Sequence, residues 1–223
     1  MSYFNLAIDG PAGAGKSTIA KRIAKKLGFV YVDTGAMYRA MALYFLRNNI
    51  SSSDSEGIEK ACGKVDVTIE YKNGEQLVIL NGENVNGLIR TEEVGNMAST
   101  SSVNKSVRNK LVELQQTLAK KENVVMDGRD IGTFVLPNAD LKIYLTASSH
   151  VRARRRWLEL QSKGIAADQE EIEQDIIDRD NRDMNREFAP LRQAEDAIYL
   201  DSSDLSIDEV IGKIISLYEN VNK

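Results

Sequence analysis

The chain has few of the residues that form disulfides or soft-metal sites. Its 223 residues include a single cysteine, Cys62, and a single histidine, His150. One thiol cannot form an intramolecular disulfide, which fits a reducing compartment, and one cysteine with one histidine offers no zinc-type site. We therefore expect a cytoplasmic protein that needs neither disulfides nor such a metal for folding.

Long apolar runs and an excess of basic residues are also absent. No window approaches the roughly 20 apolar residues of a membrane span, and the first ten residues lack the basic start and apolar stretch of a signal peptide. The net charge is -4, so the chain is a poor candidate for non-specific nucleic-acid binding. We expect no membrane partner and no stable nucleic-acid partner.

Short apolar runs alternate with helical patterns along the chain. Tyr3–Asp9 and Val124–Asp127 have the continuous apolar character of buried parallel strands. Lys16–Leu27 has helical spacing and is closed by Gly28. Further strands are predicted at Phe29–Asp33, Leu141–Leu145 and Ile198–Asp201, and further helices at Met37–Leu46, in two pieces between Thr91 and Lys121, from Val151, from Asp168 to Arg186 and after Ser206. The alternation predicts an α/β fold with a central parallel sheet flanked by helices.

A different pattern interrupts the alternation. Apolar and polar residues alternate from Val65 to Tyr71, and Asn73-Gly74 supplies the residues of a tight hairpin turn. We interpret 65–89 as a small antiparallel β insert, which is too small to be stable alone and must pack on the main domain. Residues 1–64 and 90–223 then form the core domain.

The strongest motif is a phosphate-binding loop (P-loop) that matches GxxxxGK[ST]. It consists of Gly10, Pro11, Ala12, Gly13, Ala14, Gly15, Lys16 and Ser17. The glycines let backbone N–H groups surround a polyphosphate, and the following helix points its positive end at the same place. Lys16 can reach the β- and γ-phosphates, Ser17 can bind Mg²⁺ directly, and Thr18 lies near the α-phosphate. A chance glycine-rich turn is the alternative, and the strand before and helix after the motif argue against it.

The P-loop predicts a bound nucleoside triphosphate but not its use. GTPases usually carry an NKxD segment, and the nearest match, Asn104–Val107, lacks the acid. The chain is also short for a motor or a transporter ATPase. A small-molecule kinase that uses ATP is therefore the favoured class.

Two strand ends carry residues suited to a phosphate acceptor. Thr34 and Arg39 follow the second strand, and Arg129 with Asp130 follows the strand that ends at Asp127. In an open α/β sheet, ligands bind beyond the carboxyl ends of the strands. Arginine forms paired hydrogen bonds to phosphate, and an acid in the position of Asp127 commonly contacts the ligands of nucleotide-bound Mg²⁺. Solvated surface arginines remain the alternative.

Two further stretches are rich in arginine. Arg179, Asp183 and Arg186 share one face of a helix, either as solvated ion pairs or as a site where the arginines hold phosphate and Asp183 accepts from sugar hydroxyls. The other stretch comprises Arg152, Arg154, Arg155 and Arg156. It is either a basic surface stripe or part of a helical lid, about 150–188, that brings arginines over the transferring phosphate.

Taken in order, the motifs resemble those of a known family. GPAGAGKS, DTGAMYR, the small β insert, DGRDIGT and RDNRDMNREFAPL are similar to the bacterial cytidylate kinases, a nucleoside monophosphate kinase family, over essentially the whole chain. The resemblance implies a P-loop kinase fold with an acceptor-binding insert and a helical lid. It also implies transfer of phosphate from ATP to CMP or dCMP in pyrimidine metabolism, with Mg²⁺. We expect the protein to act as a monomer.

The resemblance also assigns roles to individual residues. It implies that Arg39, Arg129 and Arg186 hold the acceptor phosphate, that Ser99, Arg108 and Asp130 read the cytosine, and that Arg179 and Asp183 lie near the sugar. Thr34 supplies a hydroxyl to the same CMP site. Together with the P-loop, we expect Lys16, Arg129, Arg186 and Arg155 to be catalytic.

The amino-acid sequence alone leaves two other functions open. The chain could be a P-loop kinase for another nucleoside monophosphate or for a small metabolite. It could also be a nucleotide-gated regulatory or nucleic-acid-binding protein, although the acidic net charge and the acceptor-side arginines argue against that class.

Overall fold

The computed structural model describes residues 3–72 and 74–222. The strands are β1 Asn5–Asp9, β2 Val30–Asp33, β3 Val67–Lys72, β4 Glu75–Leu80, β5 Glu83–Asn84, β6 Val124–Gly128, β7 Leu141–Thr146 and β8 Ile198–Asp201. The helices are α1 Lys16–Leu27, α2 Thr34–Arg47, α3 Ser55–Cys62, α4 Glu92–Ser101, α5 Lys105–Ala119, α6 Ser149–Ser162, α7 Gln169–Asn185 and α8 Ile207–Val221. Within these residues, a parallel five-stranded sheet has the order β2-β6-β1-β7-β8, and a three-stranded antiparallel sheet has the order β3-β4-β5. The predicted α/β fold with a small antiparallel sheet is confirmed.

Helices cover the central sheet on two sides, which explains its apolar strands. On one side, Ile23 of α1 and Ile214 of α8 pack in the same cluster as Ile8 of β1. On the other side, Phe45 of α2 and Leu111 of α5 belong to a second cluster. No helix among the described residues is both long enough and apolar enough to cross a membrane.

The small sheet shares the core of the main domain. Val67, Val78 and Leu80 are buried in the same cluster as the residues of α2 and α5. This packing supplies the apolar burial that three short strands cannot supply alone. Gly74 has a φ of 76°, as the predicted turn requires, whereas Asn73 lies outside the described residues.

The small sheet also binds the edge of the central sheet. The Gln76 side chain accepts from the Asp33 backbone N–H at 2.8 Å and donates to the Asp33 carbonyl at 3.2 Å. The Tyr71 hydroxyl donates to the Tyr31 carbonyl at 3.0 Å. These side chains satisfy backbone groups that β2, as an edge strand, would leave unpaired. The small sheet is thereby fixed beside the strand end that precedes Thr34.

Some element boundaries match the predictions and others do not. Helix α1 ends before Gly28, which has a φ of 70°, and α8 begins after Ser206 as predicted, with Ser206 and Glu209 forming a capping box. Helix α3 was not predicted, although Asp54 caps it by accepting from the Gly57 N–H at 2.9 Å. A five-residue π-helical turn, Ile131–Val135, directly after Asp130 was not predicted either.

Candidate active site

The P-loop has a backbone conformation that only glycine adopts easily. Gly10, Gly13 and Gly15 have φ values of 149°, 75° and 85°. A Cβ added at Gly10 would lie 1.9 Å from the Leu145 carbonyl oxygen, so β7 leaves no room for a side chain there. The loop therefore places its N–H groups at the N-terminus of α1, where an anion is stabilised by the helix dipole.

Lys16 lies inside this loop. Its ammonium group is buried and donates to the Pro11 carbonyl at 2.7 Å. Burial, reinforced by the charge of Arg129, lowers the pKa of Lys16 against the opposing effect of Asp127. A cation so poorly solvated gains strongly from any phosphate that enters the loop.

Asp127 and Ser17 form an oxygen-rich pair at the end of β6. The Ser17 hydroxyl donates to Asp127 Oδ2 at 2.8 Å, and the Tyr31 hydroxyl donates to Asp127 Oδ1 at 3.0 Å. Burial and the nearby Asp33 carboxylate raise the pKa of Asp127 to about 6. A hydroxyl and a carboxylate beside a phosphate loop are the hard oxygen donors that Mg²⁺ prefers, so the residues present fit that ion.

Thr34 connects two of the predicted acceptor segments. It is buried at the start of α2, and its hydroxyl donates to the Asp127 carbonyl at 2.7 Å. Asp33 caps the same helix by accepting from the Ala36 N–H at 2.9 Å. The end of β2 is thus held against the end of β6, as the strand-end prediction required.

Arginines crowd the space beside these strand ends. Burial and the charges of Arg129 and Arg39 lower the pKa of Arg179 to about 10. Burial, then repulsion from Arg90, lowers the pKa of Arg39. No ion pair within 3–72 and 74–222 includes either Arg39 or Arg179. Poorly solvated cations held near one another form a receptor for an anionic group.

Asp183 partly balances this positive charge. It accepts from Arg129 Nε at 2.9 Å, and Arg186 lies within 4.0 Å of its carboxylate. Burial alone would raise the pKa of Asp183, but Arg129, Arg179 and Arg186 outweigh it and lower the pKa. Asp183 therefore stays ionised and joins α7 to the loop after β6.

Asp130 lies at the centre of a second buried network. It pairs with Arg108, and Arg186 Nη2 is 3.4 Å from its other oxygen. Arg108 is fully enclosed, donates to the Ser102 carbonyl at 3.3 Å and lies over the Tyr38 ring at 5.4 Å. Three predicted acceptor residues, Arg108, Asp130 and Arg186, are therefore in direct contact.

The comparison with known sequences decides the family. The family model described as cytidylate kinase matches residues 6–220. This chain belongs to the cytidylate kinase family. A cytidylate kinase of Caldicellulosiruptor bescii is 53% identical over 223 residues, covering 100% of this chain and 99% of the relative. Another, of Lactobacillus gasseri, is 49% identical over 218 residues, covering 98% of this chain and 95% of the relative.

Solved structures with lower identity share the fold of this family member. Shikimate kinase from Bacteroides thetaiotaomicron has a TM-score of 0.50 at 16% identity, with 97% of this chain and 98% of that chain covered. A protein from Eubacterium ventriosum described as uncharacterized has a TM-score of 0.55 at 13% identity, with 98% and 99% covered. These likenesses support the P-loop kinase fold alone.

Helices α6 and α7 of this cytidylate kinase family member contact the P-loop directly. Arg152 is buried and donates to the Ala12 carbonyl at 2.8 Å and to Asp180 at 2.6 Å. Asp180 in turn accepts from the Ala12 N–H at 3.1 Å. One buried ion pair thus joins both helices to the loop, a contact that the arginine spacing alone did not reveal.

Arg155 and Arg156 of α6 have different contacts from Arg152. Arg155 donates to the Ser202 carbonyl at 2.7 Å and to its hydroxyl at 3.3 Å, which ties α6 to the segment after β8. Arg156 pairs with Glu159 on the surface. The structure does not bring Arg155 into the group formed by Arg39, Arg129 and Arg179, so its catalytic role stays a prediction.

The remaining predicted residues have fewer contacts. Ser99 is half-buried on α4, and its enclosed hydroxyl has no hydrogen-bond partner in the part of the chain that the structure describes. Thr18 is exposed on the first turn of α1.

Sequence reasoning also missed two residues that this family member places at the site. Tyr31 holds Asp127 from β2, and Asp9 is buried at the end of β1. Tyr31 lies two residues before Asp33, so strand periodicity put both on one face of the sheet. That periodicity was the available signal for Tyr31, and for Asp9 it was the acid at the end of an apolar strand.

Proposed function

We propose that this protein transfers the γ-phosphate of ATP to CMP, and to dCMP, giving ADP and the cytidine diphosphate in pyrimidine nucleotide metabolism. The observation that carries the proposal is the group of poorly solvated arginines around Arg129, next to a complete P-loop. A triphosphate loop beside a separate phosphate receptor suits transfer between two phosphates. Membership of the cytidylate kinase family supplies the nucleoside.

On the donor side, the P-loop amides and Lys16 bind the ATP phosphates. We propose that Lys16 leaves the Pro11 carbonyl for the β- and γ-phosphates, because phosphate oxygens are stronger acceptors for an ammonium than a neutral carbonyl is. Thr18 on the first turn of α1 completes the donor site near the α-phosphate.

On the acceptor side, Arg39, Arg129 and Arg186 hold the CMP phosphate. Arg179 and Asp183 lie toward the sugar, and Thr34 supplies a hydroxyl to the same site. The attacking phosphate oxygen is already anionic, so the reaction needs positioning and charge neutralisation rather than a strong base. The arginines supply both, since transition-state charge spreads over the transferred oxygens.

Base recognition is assigned to Ser99, Arg108 and Asp130. Cytosine presents an amino donor where uracil presents a carbonyl acceptor. Asp130 stays in contact with Arg108 and Arg186, so it is held as an acceptor that can receive the amino group. This charge pattern supports a preference for CMP over UMP.

We propose that Mg²⁺ binds with the nucleotide through Ser17, with Asp127 behind it. When bound, the ion neutralises charge on the β- and γ-phosphates. Asp127 keeps Ser17 oriented through their hydrogen bond, and Tyr31 fixes the second oxygen of Asp127.

Tyr31→Phe tests this arrangement. Removing the hydroxyl frees Asp127 Oδ1, so we expect kcat to fall about threefold to tenfold and half-saturation to need more Mg²⁺, with little change in KM for CMP. Titration of activity with Mg²⁺ measures the effect. Tyr218→Phe is the matched control, since its hydroxyl contacts only Asn222 among the described residues. An unchanged Mg²⁺ requirement with a raised KM for CMP would contradict the role.

We also propose which segments of the chain form the core, the acceptor-binding insert and the lid. Residues 1–64 and 90–223 form the kinase core, 65–89 the acceptor-binding insert, and about 150–188 the lid. The insert is supported by β3–β5 bound beside Asp33, and the lid by α6 and α7 clamped on Ala12. We also propose that the protein acts as a monomer, and the single cysteine and the ATP donor favour the cytoplasm.

The function is tested by measuring kcat/KM for separate acceptors with ATP and Mg²⁺. CMP and dCMP are expected to exceed UMP, AMP and shikimate by at least about tenfold. If UMP, AMP or shikimate were the best acceptor, the chain would be a P-loop kinase for another substrate. Salt-sensitive RNA binding without any transfer would instead favour a regulatory protein.

A further inference from the structure

Asp9 is a buried acid that the reaction described above does not use. It ends β1, directly before Gly10 of the P-loop, and the residue is only 5% exposed. Its Oδ1 accepts from the Ile131 N–H and its Oδ2 from the Gly132 N–H, both at 2.7 Å. These two amides belong to the π-helical turn that directly follows Arg129 and Asp130.

The two bonds join the donor loop to the acceptor loop. Strands β1 and β6 are parallel neighbours in which Asp9 lies opposite Gly128, so the loops leave the sheet side by side. Hydrogen bonds to an ionised carboxylate are stronger than neutral ones, and buried amides are costly to leave unpaired. Packing restrains the turn further, because a Cβ at Gly132 would lie 3.0 Å from Lys142 Cδ and 3.4 Å from Asp9 Oδ2.

We propose that Asp9 is a positioning residue that fixes the loop carrying Arg129 and Asp130 at a set distance from the P-loop. The inference rests on the proposed function, since it concerns how the acceptor is aligned with ATP. Phosphoryl transfer depends on that alignment, and a displacement of about 1 Å can cost about 10² in rate. We assign Asp9 no contact with either substrate, and it acts only through the turn.

Asp9→Asn is the direct test. The amide has the same shape but one acceptor oxygen, and its NH₂ group faces a backbone N–H. We expect KM for CMP to rise at least about tenfold and kcat to fall, with KM for ATP within about twofold of wild type. Asp140→Asn is the matched control, because Asp140 also accepts from a backbone N–H, that of Asn5, at 2.7 Å, but at the opposite end of β1.

The pH dependence of KM for CMP distinguishes the proposed positioning role of the Asp9 charge from a merely structural role. Burial, with a contribution from Asp130, raises the pKa of Asp9 to about 7, against the opposing effects of the two amides and Lys16. Tyr144, opposite Asp9 on β7, also faces it. The amide of Asp9→Asn resembles the protonated acid. We therefore expect the ratio of CMP KM values, variant over wild type, to shrink from about pH 8 to about pH 6, and the titration of CMP itself cancels in that ratio.

A second variant tests the positioning role if Asp9→Asn folds poorly. Gly132→Ala pushes the same turn from the other side while Asp9 keeps its charge, and we expect the same selective rise in KM for CMP. Wild-type turnover of CMP, measured first, tests the proposed function separately. Equal rises in KM for CMP and for ATP, or an unchanged KM for CMP in either folded variant, would overturn the role of Asp9.

Discussion

Lys16→Ala should reduce phosphoryl transfer by about 10³-fold while the protein still folds. The Lys16 ammonium is a buried cation inside the P-loop, where it donates to the Pro11 carbonyl. Its removal leaves the buried Pro11 carbonyl without this donor but also removes a desolvated charge, so the free energy of unfolding should change little. Steady-state turnover of CMP and a thermal melt measure the two effects.

Lys25→Ala is the matched control for that variant. Lys25 lies on the same helix, in its last turn, and is exposed. We expect its turnover to stay within about twofold of wild type. If Lys16→Ala kept turnover within about tenfold of wild type, the P-loop would not be the donor site.

Asp130→Asn should have the second largest effect, directed at the base. The substitution keeps the size of the side chain but removes the charge that pairs with Arg108 and Arg186. We expect kcat/KM for CMP to fall about 10²-fold and that for UMP to fall less, so that the preference narrows by about tenfold or more. Parallel kinetics with CMP and UMP measure the change.

Stability must be followed in the same variant. Buried Arg108 loses its acid and Arg186 keeps only the more distant Asp183, which should lower the free energy of unfolding by about 3 kcal/mol. Asp208→Asn is the control, because Asp208 also pairs with an arginine, Arg22, but on the exposed surface of α8. An unchanged ratio of CMP to UMP turnover in folded Asp130→Asn would remove Asp130 from base recognition.

Much of the fold follows from local patterns. Helix α1 and strand β8 have the predicted bounds, because a closing glycine and a short apolar run mark them clearly. Helix α3 was missed since its eight residues bury only Ile58, Ala61 and Cys62, which is too short a pattern to show helical periodicity. The π-helical turn after Asp130 depends on the two bonds to Asp9, which no local pattern contains.

In the candidate site, too, local sequence patterns predicted the positions of some residues but not the contacts of others. The positions of Thr34, Arg129 and Asp130 at one edge of the sheet follow from the amino-acid sequence, because each residue comes just after an apolar strand. The partners of Asp9 and Tyr31 come from segments about 100 residues away along the chain, so spacing could not reveal them. Arg155 was predicted to be catalytic. It lies three residues after Arg152 on the same helix, yet it contacts Ser202 rather than the P-loop.

Competition among four acceptors tests the proposed function directly. Wild-type protein is incubated with Mg²⁺, ATP labelled at the γ-phosphate, and equal concentrations of CMP, dCMP, UMP and AMP, and the labelled products are separated. We expect label in CDP and dCDP, with little in UDP or ADP and little released as inorganic phosphate. Label found mainly in UDP, in ADP or in free phosphate would contradict the proposed function.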